Sequence, residues 1–449
     1  MASKLLIRVY DVGLGDCILC RIPDGAVVDG VPAPFHMLID CGSWSGIPFL
    51  ETALADIATQ LPSAGGDKKR LDLLVVTHEH KDHMAGCDPV LFEKFQIGAI
   101  WMSAAMNPNH EQAKGAQKLQ AFAVDAVQRL VESRAELGPE LASLTELFGI
   151  DNEGAVKALR KDLPEANGIK PQYVFAGKTH EDFELPLKGA KLSVLGPEND
   201  IDGYYLGKSG GAAVNALSDS ITLMGPGASA SVRSKSAIPT NIGSADFTRL
   251  KQRMLSSALA FAALSSKVTN NTSVVLLLEW GGRRLLFVGD AEWDSAFRDG
   301  KANSSWNVMW HARKEELKAP FDFLKIGHHG SENATPWGAD GEPRAILDAI
   351  LPKPVGNAKA KAKAVASTQR GRYETIPRSE LLAELGQRVA NAQRYSKRFA
   401  AAGLTATALP KYSKFEEDWI ELPQPQRTDC ERMLTGVGFV DVEFEAIGP

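Results

Sequence analysis

Thr77-His78-Glu79-His80-Lys81-Asp82-His83-Met84-Ala85-Gly86 follows directly on an apolar run, Leu71-Asp72-Leu73-Leu74-Val75-Val76. The run reads as a buried strand, and the polar segment as the tight loop at its end. Three imidazoles and two carboxylates fall within six residues, although the whole chain holds only nine histidines. Imidazole and carboxylate are the donors that a borderline cation such as zinc takes. The spacing lets His78 and His80 hold one ion while Asp82 and His83 reach a second. The alternative reading of the same residues is a solvated polar turn.

Working outward, Lys4 to Tyr10 alternates as a strand and ends at Asp11-Val12-Gly13-Leu14-Gly15-Asp16. Glycines two apart there allow a tight turn and a close backbone approach. His36-Met37-Leu38-Ile39-Asp40 reads as the next strand, with Cys41-Gly42 turning away from it. Further on, Asn271 to Trp280 reads as a buried strand, and Arg284-Leu285-Leu286-Phe287-Val288-Gly289-Asp290 returns from a Gly281-Gly282 hairpin and places Asp290 at a strand end. A carboxylate there can bridge two ions with its two oxygens, or cap the segment that follows. Phe321 to Gly327 is another strand, and it delivers His328-His329-Gly330-Ser331.

Taken in order, these blocks resemble the metallo-β-lactamase-fold hydrolases. More narrowly they resemble the hydrolase domain of the DNA-uptake competence (ComEC-type) proteins. The resemblance covers residues 4 to 105, 172 to 200 and 270 to 332, with a fainter block at 363 to 410. It implies an α/β fold, the metallo-β-lactamase αββα sandwich. That fold would occupy one domain over 1–410, with a helical insertion at about 107–168 and a loop-rich insertion at about 200–270, before a C-terminal extension at 411–449. It also implies two divalent metal ions, zinc first with manganese or magnesium as alternatives. His78 and His80 would hold one ion, Asp82, His83 and His328 the other, and Asp290 would lie between them. Asp40 and Asp16 would support the ligands from behind. Asp82, Asp290 and His329 would serve the chemistry, and Ser331 and Lys325 would face the substrate.

The sequence departs from the broad family in one place. A histidine is common in a turn before the strand that leads to the bridging aspartate, but this chain has Asn270-Asn271-Thr272-Ser273 there. That leaves one metal position short of a ligand, so a single tightly held ion is an alternative to two. His180 is a distant substitute.

The rest of the chain sets limits. No apolar run reaches the ~18 residues of a membrane span, and the first residues enter a strand without a signal-peptide core. The five cysteines are odd in number and scattered, which fits a reducing cytoplasm. Cys17 and Cys20 have metal-pair spacing but lie on a strand, where residues three apart face opposite ways. A net charge of −5 argues against sequence-blind adhesion to nucleic acid. Even so, Lys353 to Arg372, with Arg388, Arg394, Lys397 and Arg398 beyond it, could form a local strip for a nucleic-acid partner.

Gln172 to Phe175 and Lys191 to Pro197 read as the strands that open the second half of the sandwich. Residues 207 to 246 read as a mobile loop, and Phe247 to Leu264 as an amphipathic helix. The leading functional expectation is a metal-dependent phosphodiesterase acting on DNA. The alternatives are a hydrolase of a small phosphodiester or ester, and a partner-dependent subunit docking through the helical insertion or the C-terminal extension.

Overall fold

The structure, a computed structural model, describes residues 4–132, 152–208, 260–338, 340–368, 376–390, 429–431 and 438–447. Its first sheet holds β1 (Leu5–Tyr10), β2 (Cys17–Val28), β3 (Val31–Cys41), β4 (Ser63–Gly65), β5 (Lys68–Val76), β6 (Phe95–Ser103) and β7 (Gln172–Val174). The second holds β8 (Ala190–Gly196), β9 (Val275–Trp280), β10 (Arg283–Phe287), β11 (Phe323–Ile326), β12 (Lys363–Thr368) and β13 (Asp429–Glu431). A last strand, β14 (Phe439–Phe444), returns to the first sheet. The orders are β14-β1-β2-β3-β5-β6-β7, with β4 beside β5, and β13-β12-β11-β10-β9-β8. In each sheet an antiparallel part passes into a parallel part, at β3-β5-β6-β7 and at β10-β11-β12-β13.

Strand alternation builds four layers. Leu5, Ile7, Val9, Ile18, Cys20, Met37, Ile39 and Val75 meet Leu276, Leu278, Leu285, Phe287 and Phe323 between the sheets. The opposite faces of the same strands are also apolar. Cys17, Leu19, Leu38, Leu74 and Val76 pack on Leu50, Leu54 and Ile57 of helix Ile47–Gln60. Val275, Leu277, Leu286 and Leu324 pack on helices Ser305–Ala312, Gly341–Ile350 and Ser379–Gly386. A strand covered on both faces reads as a continuous apolar run, which is why β5 and β9 stand out in the sequence. The result is the expected αββα arrangement. Cys17 and Cys20 do fall on opposite faces of β2, so they form no pair.

Three expectations are corrected. Gln172–Val174 lies parallel to β6 at the edge of the first sheet, and the second sheet begins only at β8. A three-residue strand is too short to show a period, and it is placed by Trp101, whose indole N–H donates to Gln172 Oε1 at 2.9 Å. The strand expected from Asn271 begins at Val275, because residues 260–271 are helical and Asn270 to Ser273 form its closing turn. Arg388 is only 1% exposed, enclosed by Glu384 and Asp348, so it joins no solvent-facing strip. Residues 133–151 of the expected helical insertion lie outside the described residues, as do 209–259, expected as part of a loop and a helix, Arg370, Arg372 and the region 391–428. No helix among the described residues is long and apolar enough to cross a membrane.

Candidate metal centre

The C-terminal ends of the parallel strands supply the site. β5 leads into Thr77 to His83, β3 ends at Asp40-Cys41, β10 leads to Asp290, β11 to His328-His329, and β12 ends at Ser367-Thr368. The loop Asp11 to Asp16 packs beneath the histidine segment: Asp16 N–H donates to Asp82 O at 2.9 Å and Gly42 N–H to Asp16 O at 2.9 Å. Glycine is required at 42, because a Cβ there would meet Asp82 C and His83 N at 2.2 Å.

Among the described residues three groups of donor atoms converge, each with its atoms within 4.8 Å of one another; Asp16, Asp40 and His83 form the one behind the site, and the two that matter here share Asp290. One is His78, His80 and Asp290. The other is Asp82, His83, Asp290 and His329. Asp290 belongs to both, with Oδ2 3.7 Å from His78 Nε2 and Oδ1 3.1 Å from His83 Nε2. His78 Nε2 and His80 Nδ1 are 3.0 Å apart, and His329 Nε2 is 2.9 Å from Asp82 Oδ2. The buried atoms His80 Nε2, His83 Nε2 and Asp82 Oδ1 have no hydrogen-bond partner. Buried polar atoms ordinarily find one, so these orphaned donors fit a cation.

Asp40 fixes the imidazoles. It is fully buried with a positive φ of 56°, a costly conformation for a non-glycine residue. Its carboxylate accepts from Thr77 N–H and Thr77 Oγ1–H at 2.7 Å each, and from His83 Nδ1–H at 2.8 Å. Since Thr77 Oγ1 donates to Asp40, it accepts from His78 Nδ1, 3.0 Å away. Both rings therefore hold a proton on Nδ1 and turn Nε2 towards the cluster, where a cation would take its lone pair. His329 is set likewise, with Nδ1 donating to Ser367 O at 2.9 Å.

Charge follows the geometry. Burial drives His78 well below the ordinary histidine value, reinforced by His83 and His80. Burial also brings His80 down to about 4. Burial opposes the charge on His83, yet Asp290, Asp40 and Asp82 raise it well above its ordinary value. Burial would raise Asp82 and Asp290, but the neighbouring histidines, His83 foremost, hold both below the ordinary carboxylate range.

The other sequence candidates fall as follows. His328 lies outside both donor groups: its N–H donates to Asp290 Oδ1 at 3.0 Å, and its side chain, 25% exposed, has Nδ1 3.5 Å from Glu292. His329, expected beside the substrate, stands in the donor group instead. Lys325 is buried, with Nζ 2.8 Å from Asp16 Oδ1, so its ammonium is engaged inside the protein. Ser331 Oγ donates to Asn333 Oδ1 at 2.9 Å. His180 accepts from Leu192 N–H at 3.3 Å and joins neither group.

At the position of the missing histidine, Ser273 Oγ sits 3.2 Å from His78 Nδ1 and accepts from Asp290 N–H at 3.1 Å. Asn270 and Asn271 donate to Glu292 at 3.0 and 2.9 Å. Sequence reasoning passed over Thr77, Ser273 and Glu292. A hydroxyl beside the first histidine was the one available signal.

One comparison bears on part of the site. Residues 35–156 match the family model of the metallo-beta-lactamase superfamily. The matched stretch carries Asp40, Thr77 and the His78 to His83 segment of the metallo-β-lactamase pattern, and ends before Asp290 and His329. No curated protein matches the chain. The crystal structure of a beta-lactamase domain protein from Burkholderia ambifaria aligns with a TM-score of 0.21 and 16% identity, over 40% of this chain and 41% of that one. The chain thus spans about two fifths of that protein, and so loose a superposition carries no weight.

Proposed function

We propose that the chain is a divalent-metal-dependent phosphodiesterase, with DNA as its leading substrate. The observation that carries the reading is Asp290, one carboxylate shared by two buried donor groups. His78 and His80 would hold one ion, Asp82, His83 and His329 the other, with Asp290 between them. A histidine-rich set with carboxylates suits zinc or manganese. Such a pair supplies an activated water near neutral pH and stabilises charge on the attacked centre. The chain's own part is to hold these donors rigid through Asp40, Thr77 and Ser367. His328, at the exposed side and backed by Glu292, is placed to give a proton to a departing oxygen. The resemblance of the sequence blocks to the competence-type hydrolases supports DNA.

One observation favours a smaller phosphodiester instead. Arg388 is buried, and Lys363 sits at the end of β12 away from Ser367, with Nζ donating to Glu443 O at 3.2 Å. Neither of these two basic residues faces the donor groups.

The experiment is cleavage of circular single-stranded DNA and plasmid DNA with manganese, magnesium or zinc. Asp82→Ala and Asp290→Ala variants serve as controls. Metal-dependent cutting lost in both variants is the expected result. No cutting of DNA while a small chromogenic phosphodiester is hydrolysed would transfer the assignment to a small substrate.

A further inference from the structure

Glu79 stands between two candidate ligands, His78 and His80, yet it joins neither donor group. The helical insertion holds it instead. Gln120, on helix Lys114–Glu132, donates from Nε2 to Glu79 Oε2. Arg160, in the helical run that follows Asn152, donates from Nη2 to Glu79 Oε1 at 3.0 Å. Asn152 donates from Nδ2 to the Glu79 backbone oxygen at 3.0 Å. The same Arg160 nitrogen also reaches Met106 O, just past the end of β6. Two separated helices thus grip both ends of one residue in the histidine segment.

We infer that the insertion is a clamp that positions His78 and His80 through Glu79, so that metal binding and the order of the insertion are coupled. This rests on the metal reading above. The group with His78 and His80 has three members, against four in the other, and Ser273 stands where a further imidazole would complete it. A site with fewer donors depends more on having those donors held in place before the ion arrives. Glu79 is the one residue between the two histidines, so fixing its carboxylate and its carbonyl fixes the spread between them. Coupling of this kind is reciprocal: an ion bound by His78 and His80 tightens the helices that hold Glu79.

Glu79 and Arg160 are positioning residues, and the test separates that role from a merely stabilising ion pair. Zinc and cobalt are titrated calorimetrically into the full chain and into Glu79→Ala, Arg160→Ala, Arg160→Lys and the double alanine variant. Affinity for at least one ion falls about 10–100-fold in each single alanine variant, the range for losing a group that orients a ligand. Arg160→Lys recovers part of it, and the double variant loses no more than either single one, as expected for one shared interaction. Folded variants that bind every ion as the wild type does overturn the clamp and leave the metal reading intact. A wild type that takes up no ion overturns both.

Hydrogen exchange on the wild type gives an answer even if a variant fails to fold. Zinc slows exchange in residues 114–132 and 152–167 if the clamp is real. Unchanged exchange there, with zinc bound, sinks it.

Discussion

A single carboxylate, Asp40, sets the proton positions of two imidazoles, one directly and one through Thr77 Oγ1. Asp40→Asn replaces an acceptor by a group that can also donate, and Thr77→Val removes the link to His78. Each variant loses about 10–100-fold in metal affinity, measured by competition with a chromogenic chelator. His328 and His329 separate in the same assay. His329→Ala loses metal, whereas His328→Ala keeps it and loses about 10²–10⁴-fold in rate, the range for a proton donor. A His328→Ala variant that loses metal as His329→Ala does would return His328 to the ligand set. The motif of the adjacent pair is legible in the sequence, but which ring turns inward is not. That depends on Ser367, which comes from another strand and accepts from His329 Nδ1.

Among the elements, the helix Ser379–Gly386 is joined to helix Gly341–Ile350 by charge. Arg388 donates to Glu384 at 2.7 Å, to Asp348 at 2.7 Å and to Leu351 O at 2.6 Å. Arg388→Ala leaves the Leu351 carbonyl without its donor, while Glu384 keeps Arg344 and Lys353 and Asp348 keeps Arg344, so it costs about 1–3 kcal/mol, read from urea unfolding. Burial would raise the Glu384 carboxyl, but Arg388 and Lys353 bring it net below its ordinary 4.5. A depressed carboxyl contributes stability above its unfolded value and loses it as pH falls through the folded one. The advantage of the wild type over Glu384→Gln is therefore full above pH 4.5 and shrinks in acid. Equal acid profiles would remove Glu384 from the account.

The strands that carry the site were readable because both faces are covered, giving apolar runs with the chemistry at their ends. Arg388 was not, because a basic residue in a charged stretch looks the same in sequence whether it faces water or two carboxylates. β7 was legible as a strand but assigned to the wrong sheet, for a different reason. Its place depends on a partner about seventy residues away, Trp101, and on no local pattern.

For the whole molecule, the late strand β14 completes the first sheet. It pairs antiparallel with β1 from Leu5 with Phe444 to Tyr10 with Phe439, and Arg8 bridges Asp441 and Asp56 at 2.8 Å each. Phe444 is buried against the inner core. Phe444→Ala is expected to cost about 3–5 kcal/mol although it lies far from the donor groups, and thermal unfolding of the metal-free protein measures it. A variant as stable as the wild type would show β14 to be dispensable.

That pairing also bears on how the protein is made. β1 (Leu5–Tyr10) leaves the ribosome long before its hydrogen-bonding partner β14 (Phe439–Phe444). At about 5–20 residues per second, the interval is on the order of 20–90 s. Throughout it one edge of β1 keeps its backbone N–H and C=O groups unpaired and able to pair with any other nascent strand. The strands of the second sheet are all made within that interval, but the first sheet closes only once β14 is made. Its yield in a cell should therefore follow the supply of chaperones that shield unfinished chains.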